Sequence, residues 1–432
     1  MSAHVVCITS GGGLPIFTRK KGNAETLPFS MIGSLNGVHM FAKAQRLELL
    51  NSLMEDHCAV WKEFHDSILL IGISSGCTIQ VLNKLLESVF NAMILVVGID
   101  AIKAQRNIER LKRELRLCYP IVDRLLDSLD CGDTTNKHSS DLIMMVETIL
   151  CTENHLIRIV LESYTECVDS VYSCILIHGK IAVATESWWD LHPDEIKLLS
   201  LLATIENTTN SKDIPVFLPH KSPNVAYRFV AVMLIPNVQI CCLCGPTPLL
   251  EEIEHSAAQC FKSTLELLES ALRCHPRNFP HSLDAEFGIL GILLISIKYG
   301  KYMISRHPTR TSAKPSGNGF HRLDILRTFY YQAVMGALVP DNWENISTSS
   351  NKREQSKKAD KKEERNVKKS NKMECTVNTE TYWCSEYHKC HAIIVDDNVL
   401  CVLYNSTIPT YSMRFITPRV LKTLATDKQL CW

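Results

Sequence analysis

The stretch that decides the fold is HVVCITSGGGLPIFTR, residues 4–19. His4–Thr9 is an apolar run, Ser10–Gly13 is a glycine turn, and Leu14–Arg19 is a second strand-like run. Two such runs joined by a glycine-rich turn predict a β-hairpin. The same signature returns twice further along the chain, and this recurrence predicts the architecture.

The residues that follow the first hairpin complete a unit of helix, strands and helix. Apolar residues at mainly helical spacing predict a helix from Ser30 to Ala44. Strands are predicted at Cys58–Phe64 and Ser67–Ile73, joined by a turn. An amphipathic helix is predicted from Thr78 to about Met93, and a charged helix, Ala101–Leu117, follows it.

The middle and the last third of the chain repeat this order. In the middle, a hairpin is predicted at Val171–Ile177 with Ile181–Thr185, and a helix at Pro193–Thr204. Strands are predicted at Val216–Leu218, Tyr227–Leu234 and Val238–Cys244, and a helix follows Pro248. In the last third, a hairpin is predicted at Ile292–Lys298 with Lys301–Ser305, and a helix at Leu323–Leu338. Strands are predicted at Ala392–Val395 and Val399–Tyr404, and a final helix, capped by Thr417, at Pro418–Ala425. Three such units predict an α+β protein of three modules, each an antiparallel sheet sandwiched by helices.

The module boundaries follow from the three repeats of hairpin, helix, strands and helix. We expect modules at residues 1–140, 150–278 and 283–432, the last interrupted by an insertion at about 340–378. Within the insertion, Asn351–Lys372 holds ten Lys and Arg against four Asp and Glu, a charge of +6, and almost no apolar residues. Such a segment cannot offset its ordering entropy by burial, so it is predicted to be a disordered tether. A nuclear signal or a contact with an acidic surface is the alternative.

The overall composition excludes several classes of protein. Of the 432 residues, 46% are hydrophobic and 21% charged, and the formal net charge is zero, so no global field attracts nucleic acid or a membrane. The longest apolar runs, Ala92–Ile99 and Ile289–Ile297, are about half the length of a membrane span. The N-terminal residues lack the pattern of a signal peptide. We therefore expect a cytoplasmic protein whose 18 cysteines are thiols.

One motif resembles that of a serine hydrolase. Gly72-Ile73-Ser74-Ser75-Gly76 matches the nucleophile elbow and lies between a predicted strand and a predicted helix. Hydrolases of that kind need parallel strands joined by crossover helices, whereas the pattern of this sequence predicts hairpins. We interpret the motif as a strand-to-helix connection and keep an esterase that uses Ser74 as a remote alternative.

The other candidate sites favour structural roles. Cys241 and Cys244 lie in a strand-like run, and Cys384, His388, Cys390 and His391 cluster without a second pair of ligands at matching spacing, so no metal and no cofactor is predicted. No phosphate-binding loop follows Gly11–Gly13, and no basic stripe with aromatic residues predicts nucleic-acid binding. His65-Asp66 fits a turn better than an acid/base pair. Trp188-Trp189 is expected to place one ring in the core and the other against a partner.

Six stretches of the chain resemble the Fuzzy family of planar-cell-polarity effectors. They keep their order and spacing over residues 1–250 and are Leu27–Phe41 (LPFSMIGSLNGVHMF), Trp61–Ser75 (WKEFHDSILLIGISS), Arg106–Leu115 (RNIERLKREL), Thr185–Trp189 (TESWW), Pro215–Pro223 (PVFLPHKSP) and Leu243–Pro248 (LCGPTP). The resemblance implies three longin modules, which matches the triple repeat. It also implies membership of the tri-longin Rab exchange-factor group, alongside the Mon and Ccz proteins.

The resemblance further implies a set of partners. Fuzzy-like proteins pair with an Inturned-like longin protein and with a WD-repeat partner (Wdpcp, also called Fritz), in a complex that supports ciliogenesis and planar polarity. The pair is understood to promote nucleotide exchange on the Rab GTPase numbered twenty-three. We therefore expect recruitment to the ciliary base or cytoskeleton and a membrane contact only through the GTPase or the partners. No catalytic side chain is implied, because such factors remodel the GTPase switch regions.

Relatives pair through the hairpin edge strand and the first helix of their first module. Carried over by position, this predicts a partner and GTPase surface at Leu14, Phe17, Arg19, Pro28, Phe29, Ser30, Ile32, Gly33, Asn36 and Gly37. Gly33 and Gly37 lie four residues apart on one helical face, where another helix can approach closely. A contact of these glycines with the chain's own sheet is an equal alternative.

Three functions therefore remain open at the level of sequence. The first is a regulatory subunit of a heterodimeric exchange factor. The second is a passive longin-type trafficking adaptor without exchange activity. The third is the esterase based on Ser74.

Overall fold

The computed structural model describes residues 2–21, 24–104, 107–129, 142–151, 153–205, 210–274, 279–283, 288–307, 321–335, 379–427, 430 and 432. The described residues form three mainly antiparallel sheets with helices packed on them, which confirms the predicted α+β class. The predicted basic insertion at Asn351–Lys372 lies outside the described residues.

The first module is a five-stranded antiparallel sheet in the order β2-β1-β5-β4-β3, with helices on both faces. Its elements are β1 (Ala3–Thr9), β2 (Pro15–Lys20), α1 (Phe29–Ala44), β3 (Asn51–Leu53), β4 (His57–Phe64), β5 (Ile68–Ser75), α2 (Ile79–Val97), α3 (Ile99–Ala104), α4 (Ile108–Glu114) and α5 (Tyr119–Asp127), with a 3-10 turn at Leu115–Cys118. Successive strand residues point to opposite faces, so Val6 packs on the α1 side and Val5 on the α2 side.

Two predictions for this module need correction. The charged helix predicted over Ala101–Leu117 is wrong as one continuous helix: it is divided into α3, α4 and the 3-10 turn. The physical cause is Asn107, whose side chain accepts a hydrogen bond from the Arg110 backbone N–H at 3.0 Å and starts a new helix. The short strand β3 at the sheet edge was not predicted.

The second module has a five-stranded antiparallel sheet in the order β8-β7-β11-β10-β9. Its elements are α6 (Asn154–Cys167), β7 (Tyr172–Ile177), β8 (Lys180–Ala184), α7 (Glu186–Trp189), α8 (Pro193–Thr204), β9 (Ser211–Leu218), β10 (Ser222–Ile235), β11 (Val238–Cys244), α9 (Leu250–Phe261) and α10 (Leu265–Cys274). Helix α6 was not predicted, although Ile157, Leu161 and Tyr164 form a buried stripe at helical spacing.

The third module contributes five strands to a six-stranded sheet in the order β14-β15-β16-β12-β13-β6. Its elements are β12 (Ile289–Ser296), β13 (Lys301–Arg306), α11 (His321–Phe329), a π-helical turn (Tyr330–Val334), β14 (Glu380–Cys384), β15 (His388–Val395), β16 (Asn398–Asn405) and α12 (Thr410–Ala425). The strand β14 was not predicted, and the predicted helix end at Leu338 lies outside the described residues.

The prediction that Thr417 caps a final helix beginning at Pro418 is wrong. Helix α12 begins at Thr410, and Pro418 lies inside it. The Thr417 hydroxyl faces the sheet, where it donates to the Met413 carbonyl at 2.9 Å and lies 2.8 Å from His391 Nδ1. Burial of this hydrogen-bonded threonine anchors the helix on the sheet.

The segment between the first two modules joins the second sheet to the third. Its strand β6 (Val146–Glu147) pairs in parallel with β13, and Thr148 forms a bridge with Ile181 of β8. The Glu147 carboxylate accepts hydrogen bonds from Lys180 Nζ at 2.7 Å and from the Tyr302 hydroxyl at 3.3 Å. The outer hairpin strands of both sheets are therefore covered by the chain itself.

Helix α2 connects the first module with the second. By length and composition, its residues Ile79–Val97 would suffice to cross a membrane, whereas the sequence analysis expected no segment of that length. Most of the helix is buried in the core, where it packs against the first sheet and against β9 and α8. Its Ser88 and Asn91 donate to the fully buried carboxylate of Asp194 on α8, at 2.8 and 2.5 Å. The contact between the two modules is thus formed by an apolar helix, and the buried carboxylate within it is hydrogen-bonded.

Candidate partner-binding surface

The outward face of α1 is apolar and uncovered. Phe29 and Phe41 are 73% and 69% exposed, while Ile32 and His39 on the opposite side of the helix are buried against the sheet. A Cβ built on Gly33 or on Gly37 meets no atom within 4 Å. The glycines therefore make no contact with the chain's own sheet, and they leave open space between exposed aromatic residues.

The apolar surface continues beyond the C-terminus of α1. Leu47, Leu50, Leu53 and Met54 are all exposed, and Leu53 is 74% exposed on the edge strand β3. The sequence reasoning missed these residues. A signal was present, because Leu47–Met54 contains five apolar residues between a predicted helix and a predicted strand without an amphipathic pattern that would bury them.

The edge strand β2 is already engaged within the first module. Phe17 is buried, and its ring centroid lies 5.5 Å from that of Tyr119 on α5. Arg19 Nε donates to Asp123 Oδ1 at 2.8 Å, and the guanidinium carbon lies 4.7 Å from the Tyr119 ring centroid. The hydrogen bond with Asp123 raises the pKa of Arg19. The side chains of this strand hold α5 in place.

The C-terminal half of α1 is fixed by a polar cluster. Lys43 Nζ donates to both Glu63 carboxylate oxygens at 2.7 and 3.0 Å, and Ser10 donates to the same carboxylate. Burial alone would raise the pKa of Glu63, but the hydrogen bonds from Lys43 and Ser10 outweigh burial and lower it. Burial lowers the pKa of the neighbouring His39. The cluster ties α1 to β4 and to the first hairpin.

The structure divides the ten predicted surface residues into three groups. Exposed residues are Leu14, Pro28, Phe29, Ser30, Gly33 and Gly37, and half-buried residues are Arg19 and Asn36. Phe17 and Ile32 are buried in the core. Their assignment as side-chain contacts of a partner is corrected, because an apolar side chain between sheet and helix is shielded from any docking protein.

The Ser74 motif lies in an antiparallel sheet. Ser74 is fully buried on β5, opposite Ala3 of β1 and Cys58 of β4, and its hydroxyl donates to the Ser2 carbonyl at 3.4 Å. The turn that follows contains Gly76 at φ +77°, and the Thr78 side chain caps α2. Ser74 is therefore part of a strand-to-helix connection whose hydroxyl bonds the backbone.

The remaining candidates take structural places. Cys390 and His391 are buried on β15 while Cys384 is exposed on β14, and among the described residues no three His, Cys, Asp or Glu side chains form a metal-binding group. His65 and Asp66 form a tight turn at φ +52° and +53°.

The second tryptophan of the Trp188-Trp189 pair packs within the chain. Trp188 is buried, as expected for one ring. The Trp189 ring lies 4.5 Å from Lys301 Nζ, which also lies 5.1 Å from the Trp432 ring. These are cation–π distances, so the half-buried Trp189 contacts the third module, and its contact with a partner stays a prediction.

Comparison with known proteins identifies the family. The family models described as the first, second and third longin domains of FUZ, MON1 and HPS1 match residues 3–125, 168–262 and 288–428. The chain is 34% identical over 434 residues to the protein fuzzy homolog of Xenopus tropicalis, covering 99% of this chain and 98% of that relative. It is 35% identical over 336 residues to the protein fuzzy homolog of Homo sapiens, covering 76% of this chain and 78% of that relative. The chain therefore belongs to the Fuzzy family of proteins with three longin domains.

Proposed function

We propose that this chain is the Fuzzy-type subunit of a heterodimeric Rab guanine-nucleotide exchange factor that acts in planar cell polarity, ciliogenesis and vesicle trafficking. The observation that carries the proposal is the uncovered apolar face of α1, with Phe29 and Phe41 exposed around the open Gly33 and Gly37. Exposed apolar patches of this kind mark interaction surfaces. Family membership supports an Inturned-like longin protein as the occupant.

The contact we propose is a helix laid on α1 beside the edge strand β3. Glycines four residues apart lack the side chains that would keep a second helix away. Leu53 and Met54 extend the same surface to the end of the sheet, where an edge strand offers unpaired backbone groups to a partner. The surface that we propose therefore consists of α1 and β3, whereas the sequence analysis predicted α1 and β2.

The paired first modules would then receive the small GTPase, which we propose is the Rab numbered twenty-three. Exchange of this kind needs no acid or base, because the factor displaces the switch segments that hold nucleotide and Mg²⁺. A WD-repeat partner of the Wdpcp or Fritz type would complete the complex. Recruitment to the ciliary base, and membrane contact through the GTPase, belong to the same proposal.

Nucleotide-release kinetics test the proposal directly. The GTPase loaded with a fluorescent GDP analogue is mixed with excess GTP and with this chain, the Inturned-like partner, or both. We expect release to accelerate at least tenfold with both chains, and the combined Phe29→Ser and Phe41→Ser variant to lose this acceleration. The control is Ile159→Ser, at an apolar residue of α6 that is 58% exposed, and it should leave the rate unchanged.

The competing function is a passive longin-type adaptor. It predicts that the two chains form a stable pair that binds the GTPase but leaves the release rate within twofold of the intrinsic value. That result would refute exchange activity while keeping the proposed pairing surface.

A further inference from the structure

The edges of the three sheets differ in how they are covered. In the second and third sheets, the outer hairpin strands β8 and β13 are covered by residues 146–149, and β9 packs against α2. The two edges of the first sheet, β2 and β3, lie in the module to which the proposed function assigns the partner surface. The edge that remains is β14 of the third sheet, beyond which the described residues place no further strand.

The backbone of β14 turns hydrogen-bonding groups away from the sheet. The Thr379 carbonyl accepts from Ile394 N–H, and Ser385 N–H donates to the His388 carbonyl, both at 2.9 Å. In an antiparallel pair, alternate residues bond to the neighbouring strand. The N–H and C=O groups of Glu380, Tyr382 and Cys384 therefore point outward.

The side chains of β14 do not protect this edge. Its sequence, ETYWC, contains no Lys and no Pro, and its one charged side chain, Glu380, is paired with Arg414. Tyr382 and Trp383 are both exposed on opposite faces of the strand, and Tyr387 in the adjacent turn is 82% exposed. An aromatic edge of this kind is suited to receive another strand.

Helix α12 flanks one side of the β14 edge and places a basic side chain beside it. Arg414 Nη2 lies 2.7 Å from Glu380 Oε1, which places this turn of α12 beside β14. Tyr411 and Phe415 of the same stretch are exposed. The helix carries Arg414, Arg419 and Lys422 and no acidic residue. A strand added to β14 would meet Tyr382 of β14 and Arg414 of α12 on this face.

We propose that β14 binds an extended segment of a partner protein, which adds to the third sheet as a further strand. The segment would carry apolar side chains opposite Tyr382 and Trp383 and acidic side chains on the α12 face. Main-chain hydrogen bonds would provide affinity and the flanking pockets would provide specificity. An anionic membrane would also suit the aromatic and basic residues of α12, but lipid cannot pair the outward backbone groups, so the edge favours a polypeptide.

The test is a selection of displayed ten-residue random peptides on the purified full chain. Affinities of the selected peptides are then measured by fluorescence anisotropy for wild type and for two variants of one residue. Cys384→Pro removes an outward N–H without breaking a bond to β15, and Cys384→Ala keeps that N–H. We expect binding at least tenfold weaker for C384P and within twofold of wild type for C384A.

Amide hydrogen exchange on wild type provides a second readout that does not depend on the folding of a variant. Selected peptides should slow exchange at Glu380, Tyr382 and Cys384. Equal affinity of C384P and wild type, or protection only at other sites, would overturn the proposal. So would binding of phosphatidylserine vesicles that blocks peptide binding and is lost in Phe415→Ser, or a dimer of this chain that C384P converts to monomer.

Discussion

The side-chain amide of Asn36 lies against the α-carbon of Gly13, so closely that a β-carbon on Gly13 would overlap it. Gly13 also has φ +62°, a conformation that side chains rarely adopt. The contact joins the turn of the first hairpin to the middle of α1. The position of the helix on the sheet thus depends on a residue without a side chain.

We predict that Gly13→Ala destabilises the protein by about 1–2 kcal/mol, because it combines backbone strain with displacement of Asn36. Chemical denaturation measures the change. The matched control is Gly11→Ala, whose added Cβ meets nothing within 4 Å and should change stability by less than about 0.5 kcal/mol. Equal effects of both substitutions would contradict this explanation.

Gly37→Leu is expected to abolish co-purification with the Inturned-like partner while the melting temperature stays equal or rises. The added side chain projects into open space on α1, and glycine costs a helix about 1 kcal/mol relative to a good helix former. Gly72→Leu is the contrasting control, because a Cβ there meets Leu82 at 3.0 Å in the core and should lower stability. Normal co-purification of G37L would place the interface elsewhere.

The stability of the protein should depend on pH through His192, which caps α8. Burial, and then the charge of His220, lower the pKa of His192 to about 3. Because the folded-state pKa lies below the ordinary 6.5, this contribution is present above pH 6.5 and is lost as the pH falls towards 3. Burial raises the pKa of Asp194, whose protonation offsets part of the loss at the acidic end.

The His192→Asn variant isolates this effect, since asparagine also caps a helix but does not titrate. Between about pH 7.5 and 5.5, wild type should lose about 1 kcal/mol more of its free energy of unfolding than the variant. Urea denaturation at each pH provides the measurement. Parallel pH profiles of wild type and variant would show that the pKa of His192 does not differ between the folded and unfolded states.

Ser74→Ala should leave partner binding and any exchange activity within about threefold of wild type, because the hydroxyl makes one long hydrogen bond. A fluorophosphonate probe should not label the wild-type protein. Labelling that disappears in S74A, together with a thousandfold loss of a measurable hydrolysis, would restore the esterase alternative.

Local sequence patterns sufficed for most of the secondary structure. The first hairpin, α1, α8 and β11 lie where the glycine turn and the residue periodicity predicted them. The failures occurred where tertiary contacts override local preference. Pro418 would normally end a helix, yet α12 continues through it because Thr417 is bonded between the helix and two sheet residues.

The candidate surface was predictable in part. Gly33, Gly37 and Phe29 were assigned to this surface from helical spacing and the family resemblance, with a contact of the glycines with the chain's own sheet as an equal alternative, and all three are exposed. Phe17 and Ile32 have the same apolar character but are buried. Periodicity cannot distinguish a helix face that meets its own sheet from one that awaits a partner, because both are apolar.

The sequence by itself determined that this protein has three α+β units, because hairpin turns and helical periodicity are encoded over a few neighbouring residues. Only the tertiary structure decided which edges of the sheets stay open. Residues 146–149 cover the edges of β8 and β13, whereas no strand among the described residues pairs with the outer edge of β14. Pairing of strands far apart in sequence depends on where the modules come to lie, and no local pattern records that.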